Sequence, residues 1–219
     1  MSNYSFTEEN YLKTIYSLLQ AGNEWVSTNA LAESTSTRAA SVTDMLKRLS
    51  EKQLIHYQKY RGVSLTQQGE LEALRIIRKH RLWEVFLVEK LKFGWEEVHV
   101  IAEELEHVRS ERLVEKLNDF LNNPRFDPHG DPIPDAAGKM PTTAYQKLSD
   151  KVNGQTAIMT GVSEYSTAFL QHLQKIGLSL GCQIEVKEIN EYDKSMLLLL
   201  NSTNETFLSN EVARCILVK

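Results

Sequence analysis

Apolar residues keep a helical period through the first half of the chain and alternate with polar ones near its end. In "SFTEENYLKTIYSLLQ", Tyr11, Leu12, Ile15, Leu18 and Leu19 recur every three or four positions, and Ser5 with Glu8, or Thr7, offers capping chemistry. "VSTNALAEST" predicts a short helix over about 28–34. "STRAASVTDMLKRLSEKQLI" predicts a third, with Val42, Met45, Leu46 and Leu49 on its apolar face. "LIHYQKYRGVSLT" reads as two short strands around a turn at Arg61-Gly62. Helix, short helix, helix and two-stranded wing is the order of a winged helix-turn-helix.

A long helical pattern follows over about 66–93, then helices over about 96–108 and 110–121. Leu113, Leu117, Phe120 and Leu121 make the last amphipathic. All five prolines fall between Pro124 and Pro141, which rules out a helix or central strand there. Beyond them "TAFLQHLQKIG" predicts one short helix, and "CQIEVKEI", "SMLLLLN", "ETFL" and "RCILVK" predict strands. Ile184 and Val186 share one face there, Glu185 and Lys187 the other. The fold class is therefore mainly α with a β C-terminal domain, the latter a small barrel or barrel-like sheet.

Composition changes this picture little. With 42% hydrophobic and 25% charged residues in 219, the chain has the make-up of a soluble globular protein and can bury a proper core. Its longest apolar run is too short to span a bilayer, and its start lacks the regions of a signal peptide, so the expected location is cytoplasmic, without a membrane partner. Cys182 and Cys215 read as free thiols, one disulfide remaining open. The net charge of −4 argues against indiscriminate nucleic-acid binding. Locally, however, Arg38, Lys47, Arg48, Lys52, Lys59 and Arg61 face only Asp44 and Glu51. A binding face and an ordinary basic patch are both open readings of that segment.

"HVIAEELEHV" carries the candidate chemistry. On a continuous helix His99, Glu103, Glu106 and His107 share one stripe, with Ile101, Leu105 and Val108 opposite. Imidazoles with carboxylates suit manganese, iron(II) or zinc, and a solvated polar face stays open as the alternative. H-E-x-x-H and H-x-x-E-H are both absent, as are G-x-S-x-G, the P-loop and the dinucleotide fingerprint, so no enzyme is expected.

A winged helix-turn-helix, a basic patch on it and a donor-rich helix downstream together resemble the diphtheria-toxin-repressor family of metal-dependent transcriptional regulators, and within it the manganese transport regulators with a C-terminal SH3-like domain. "TEENYLKTIYSL" looks like its first helix, "LAESTSTRAASVTDMLKRL" its DNA-reading unit and "YRGVSLTQQG" its wing. "RKHRLWEVFL" and "VHVIAEELEHVRS" look like its metal-binding helices, and "PHGDPIP" like the turn that closes its dimerisation domain. The tail from about Leu148 resembles an SH3-like domain related to a ferrous-transport accessory protein. The resemblance implies three domains: a DNA-binding one over 1–72, a helical metal-binding and dimerisation one over 73–141, and the SH3-like one over 142–219.

It also implies a primary metal site on Asn10, Glu103, Glu106 and His107, and a second on His80, Glu84 and His99, completed by a tail residue, for which Glu164 is the candidate. Asn10 stands where manganese-type members carry Asp, and brings no charge. Lys13 stands where members with paired, close metals carry Glu, which favours two separated sites. An oxygen donor at Glu103, where iron-type members carry a thiol, favours Mn(II), with Fe(II) the alternative. Arg38, Ala40, Ser41, Thr43 and Asp44 are the candidates for base edges, and Lys47, Arg48, Lys59 and Arg61 for phosphate or minor groove. The implied function is a metal-activated repressor of manganese or iron homeostasis, binding a palindromic operator as a homodimer. A winged-helix regulator of a non-metal ligand is the rival. Without metal, the clustered carboxylates are expected to repel one another and loosen the protein.

Overall fold

The computed structural model describes residues 4–142 and 144–219. They form two compact units. The first contains the chain up to His80, with Glu103–Lys116 and Pro134–Met140. The second contains Arg81–Ala102, Leu117–Ile133 and Pro141–Lys219.

In the first unit α1 (Phe6–Gln20) opens with a complete capping box. The Ser5 hydroxyl accepts the Glu8 N–H, and the Glu8 carboxylate accepts the Ser5 N–H at 2.9 Å. Two helices follow, α2 (Thr28–Ser34) and α3 (Ala39–Glu51), then the wing strands β1 (Ile55–Gln58) and β2 (Gly62–Leu65). The wing is antiparallel, with Ile55 opposite Leu65. Its turn, over 59–61, comes earlier than the Arg61-Gly62 reading: Gly62 already belongs to β2, and both Tyr60, at +72°, and Gly62, at +116°, take a positive φ. Gly62 is needed for that φ and for a second reason, because a Cβ there would collide with the Val26 carbonyl. Leu12, Ile15, Leu31, Val42, Leu46, Leu49 and Leu54 form the core.

Three helices run across the division between the units: α4 (Gln67–Glu89), α5 (Val98–Leu105) and α6 (Glu111–Phe120). Each is shorter than its periodicity predicts. On α6, Leu117 is buried, as is Leu121 just beyond its end, but Leu113 and Phe120 are exposed.

The second unit holds the β part. Here β3 (Gln146–Lys147), β4 (Thr156–Val162), α7 (Thr167–Lys175), β5 (Gln183–Ile189), β6 (Met196–Leu200), β7 (Asn204–Leu208), α8 (Asn210–Cys215) and β8 (Ile216–Val218) follow in order. The strands make one antiparallel six-stranded sheet, ordered β3-β8-β4-β5-β6-β7. The alternation of "CQIEVKEI" buries Ile184 and Val186, as expected. "RCILVK" is a strand from Ile216, as read, but its first two residues are not, since Arg214 and Cys215 end a helix that the Ser209 hydroxyl caps. Both cysteines are free. No helix among the described residues is long and apolar enough to cross a membrane.

Candidate metal centre and nucleic-acid interface

The polar stripe of "HVIAEELEHV" does not form as one helical face. α5 ends at Leu105, and Glu106 and His107 lie in the turn beyond it. Glu106 extends the buried line of Val98 and Ala102, whereas His99 and Glu103 stay exposed. The turn therefore brings a carboxylate and an imidazole into the interior of the first unit.

Glu106 is fully buried, yet its charge is met. Lys13 of α1 donates to both of its oxygens, at 2.7 and 2.8 Å, and lies 3.5 Å from Glu103. The His80 Nδ1–H donates to Glu106 Oε2 at 2.6 Å. Burial pushes the Glu106 carboxyl up, but the His80 hydrogen bond and the Lys13 charge outweigh it and hold the group below the usual carboxylate range. The expected repulsion is thus absent at Glu106, because an ammonium neutralises it. Glu9, also buried, accepts the His107 Nδ1–H at 2.6 Å. Phe6, Glu9, Asn10 and Lys13 share one stripe of α1. Asn10 is exposed on that stripe, and its backbone carbonyl accepts from Thr14. Sequence reasoning gave Glu9 no role; its spacing of four from Lys13 was the available signal.

The second unit has its own group. Glu84 lies 3.4 Å from the Nδ1 of His99, and His80 precedes Glu84 by one turn of α4. Glu84, Asp127 and His129 are all buried and present donor atoms within 4.8 Å of one another. The His129 Nε2–H donates to the Trp95 carbonyl at 2.9 Å, leaving Nδ1 3.8 Å from Glu84. Asp127 Oδ1 accepts the backbone N–H groups of His129 and Asp131, and Oδ2 lies 3.6 Å from Arg81. Burial, then the charges of Glu84 and Asp131, push the Asp127 carboxyl up to about 8. Burial disfavours the His129 imidazolium, but the Glu84 and Asp127 carboxylates outweigh it and raise its pKa. "PHGDPIP" had shown only a turn here. Glu164 accepts the Ser166 N–H at 2.9 Å ahead of α7, and the donor groups found among the described residues do not include it.

Known proteins resemble this chain in sequence and fold. Residues 4–63 match the N-terminal DNA binding domain of the iron dependent repressors, 66–135 their metal binding and dimerisation domain, and 146–219 a FeoA domain. A solved manganese-dependent transcriptional repressor, in complex with manganese, is 33% identical with a TM-score of 0.83, over 96% of this chain and 98% of that one. The chain belongs to the iron-dependent repressor family. Another member is the iron-dependent repressor IdeR of Mycobacterium tuberculosis, 38% identical over 128 residues, which are 58% of this chain and 55% of that one. The chain thus matches about half the length of that relative. The HTH-type transcriptional regulator MntR of Oceanobacillus iheyensis is 32% identical over 114 residues, 52% of this chain and 76% of its own.

The DNA-binding domain of an iron-dependent repressor is where the basic segment lies. Arg38 is the N-cap of α3, and Arg38, Ala40, Ser41 and Asp44 are exposed along its early turns. Thr43 is half-buried and its hydroxyl returns to the Ala39 carbonyl, so it reaches less far. Asp44 holds Lys47 at 3.2 Å. Arg48, Lys59 and Arg61 are exposed; Arg61 stacks over Trp25 at 4.4 Å and Lys59 over Tyr60 at 5.1 Å. Lys52 is drawn away to Glu8, at 2.6 Å.

Proposed function

We propose that this protein is a manganese-activated repressor that binds a palindromic operator as a homodimer in the cytoplasm. One observation carries the reading: a buried, ionised Glu106 beside His107 and Glu103, with an ammonium held between the carboxylates. That ammonium marks a place where the protein stabilises a positive charge. The donors around it, carboxylate oxygens and an imidazole without thiols, suit Mn(II) or Fe(II), and the extra carboxylate at Glu103 favours manganese.

In this reading Glu103, Glu106 and His107 hold the ion, with the Asn10 amide oxygen at the rim. Glu84 and His99, with His80 on the same helix, form a second group that Glu164 would complete. A bound divalent ion supplies charge that neutralises the carboxylates and favours one arrangement of α1 against the turn after α5. α1 packs in the DNA-binding core through Leu12 and Ile15, so its placement bears on how α3 is presented. Ala40, Ser41 and Asp44, with Arg38, would meet base edges, Thr43 less directly, and Lys47, Arg48, Lys59 and Arg61 the backbone. Leu113 and Phe120, seven apart on α6 and both exposed, offer an apolar face to a second copy. The functional modules follow 1–72, 73–141 and 142–219.

Selection of duplexes from a random pool, in Mn(II) and in chelator, tests the reading. Enrichment of a palindrome only with Mn(II) is expected. Equal enrichment in both conditions overturns metal control, and enrichment only with Fe(II) reassigns the ion.

A further inference from the structure

α1 holds the His107 ring in two places. Phe6 stacks on it, ring centroids 4.4 Å apart and planes 14° from parallel. Glu9, three residues later on the same helical face, accepts its Nδ1–H at 2.6 Å. A carboxylate only accepts, so the proton is on Nδ1 and the lone pair of the neutral ring is on Nε2. That nitrogen lies 3.9 Å from Glu106 Oε1, the oxygen that Lys13 also contacts at 2.7 Å. Three features coincide: a buried carboxylate on one ring nitrogen, a stacked aromatic fixing the ring plane, and the other nitrogen facing a buried acidic oxygen. A histidine that ligates a metal donates its far N–H to an oxygen in this way, which sets tautomer and direction.

We propose that Glu9 is the positioning residue of this metal centre, fixing His107 so that Nε2 faces Glu106. The inference rests on the reading of Glu106 and His107 as ligands. It gives α1 a part in metal binding that does not require Asn10 to carry charge. It also divides the work of α1, with Glu9 orienting a ligand while Lys13 occupies the place of the ion.

The test uses the full chain, Mn(II) titration by calorimetry and 15N shifts of the His107 ring in the metal-free protein. Wild type should show the Nδ1–H tautomer. Glu9→Ala should lose that tautomer and bind Mn(II) about 10- to 100-fold more weakly, with an unchanged far-ultraviolet spectrum. Glu9→Gln keeps an accepting oxygen and should recover most of both. Should Glu9→Ala disturb the helix, Glu9→Gln and the wild-type tautomer still decide: an Nε2–H ring in the wild type overturns the inference. Wild-type affinity in Glu9→Ala overturns it alone, leaving the site reading intact. No Mn(II) uptake by wild type overturns both.

Discussion

Each unit buries a cluster of carboxylates and imidazoles, and the two clusters are satisfied in opposite ways. Around Glu106 the balancing charge comes from Lys13, a flexible ammonium from another element, and the carboxylate is met by the Lys13 and His80 side chains. Around Asp127 two backbone N–H groups and Arg81 close the site, and the carboxyl itself is pushed toward its neutral form. A group tied to backbone cannot change partner without unmaking its turn. A group tied to side chains, as Glu106 is to Lys13 and His80, can exchange a partner without that. In the proposed reading, the same residue types thus serve exchange in one unit and shape in the other.

That contrast can be broken in four places. Glu106→Ala should weaken Mn(II) binding at its site at least about 100-fold by calorimetry while the helical spectrum persists; unaltered binding would mean that Glu106 is no ligand. Asp127→Ala should lower unfolding stability by about 2–3 kcal/mol in a denaturant titration, because two N–H groups lose their acceptor. The heat absent from Glu106→Ala should survive in Asp127→Ala, and its disappearance would erase the distinction between the clusters. Lys13→Met should tighten Mn(II) binding about tenfold, since a competing unit charge is gone. Weaker binding there would make Lys13 a supporter of the ion instead. Glu8→Ala should cost about 1 kcal/mol, the worth of a cap. Burial raises the Glu8 carboxyl, but Lys52 and the Ser5 N–H outweigh it and hold it low. Its contribution is therefore present above the ordinary carboxylate range and lost as pH falls, and Glu8→Ala should flatten that acid-side slope in unfolding midpoints.

Local rules made much of the fold legible. Ser5 and Glu8 sit three apart and form the box that their spacing predicts. Ile184 and Val186 alternate with charged neighbours and are buried. What stayed hidden depends on distance along the chain or on where a helix stops. Lys13 and Glu106 are 93 residues apart, and Glu9 and His107 98, so no periodicity relates them. The stripe from His99 to His107 assumed an unbroken helix, whereas α5 ends at Leu105 and Glu106 is buried with Val98 and Ala102 while His99 and Glu103 stay exposed. "RCILVK" looks like a strand by composition and is one from Ile216, but a helix begun at the Ser209 cap takes Arg214 and Cys215 first. β4 joins β5 to β8 and was not singled out, because "TAIMTGV" mixes small and polar residues with its apolar ones.

The Lys13 side chain is only 18% exposed and cannot diffuse away from its carboxylates. Its effective concentration is fixed by the helix that bears it, independent of salt or cell volume. In the reading proposed above, free divalent ion in the surroundings must therefore rise past a level written into the chain before Glu106 changes hands. Position 13 is then a dial for that set point, adjustable by substitution without altering any atom that grips the ion.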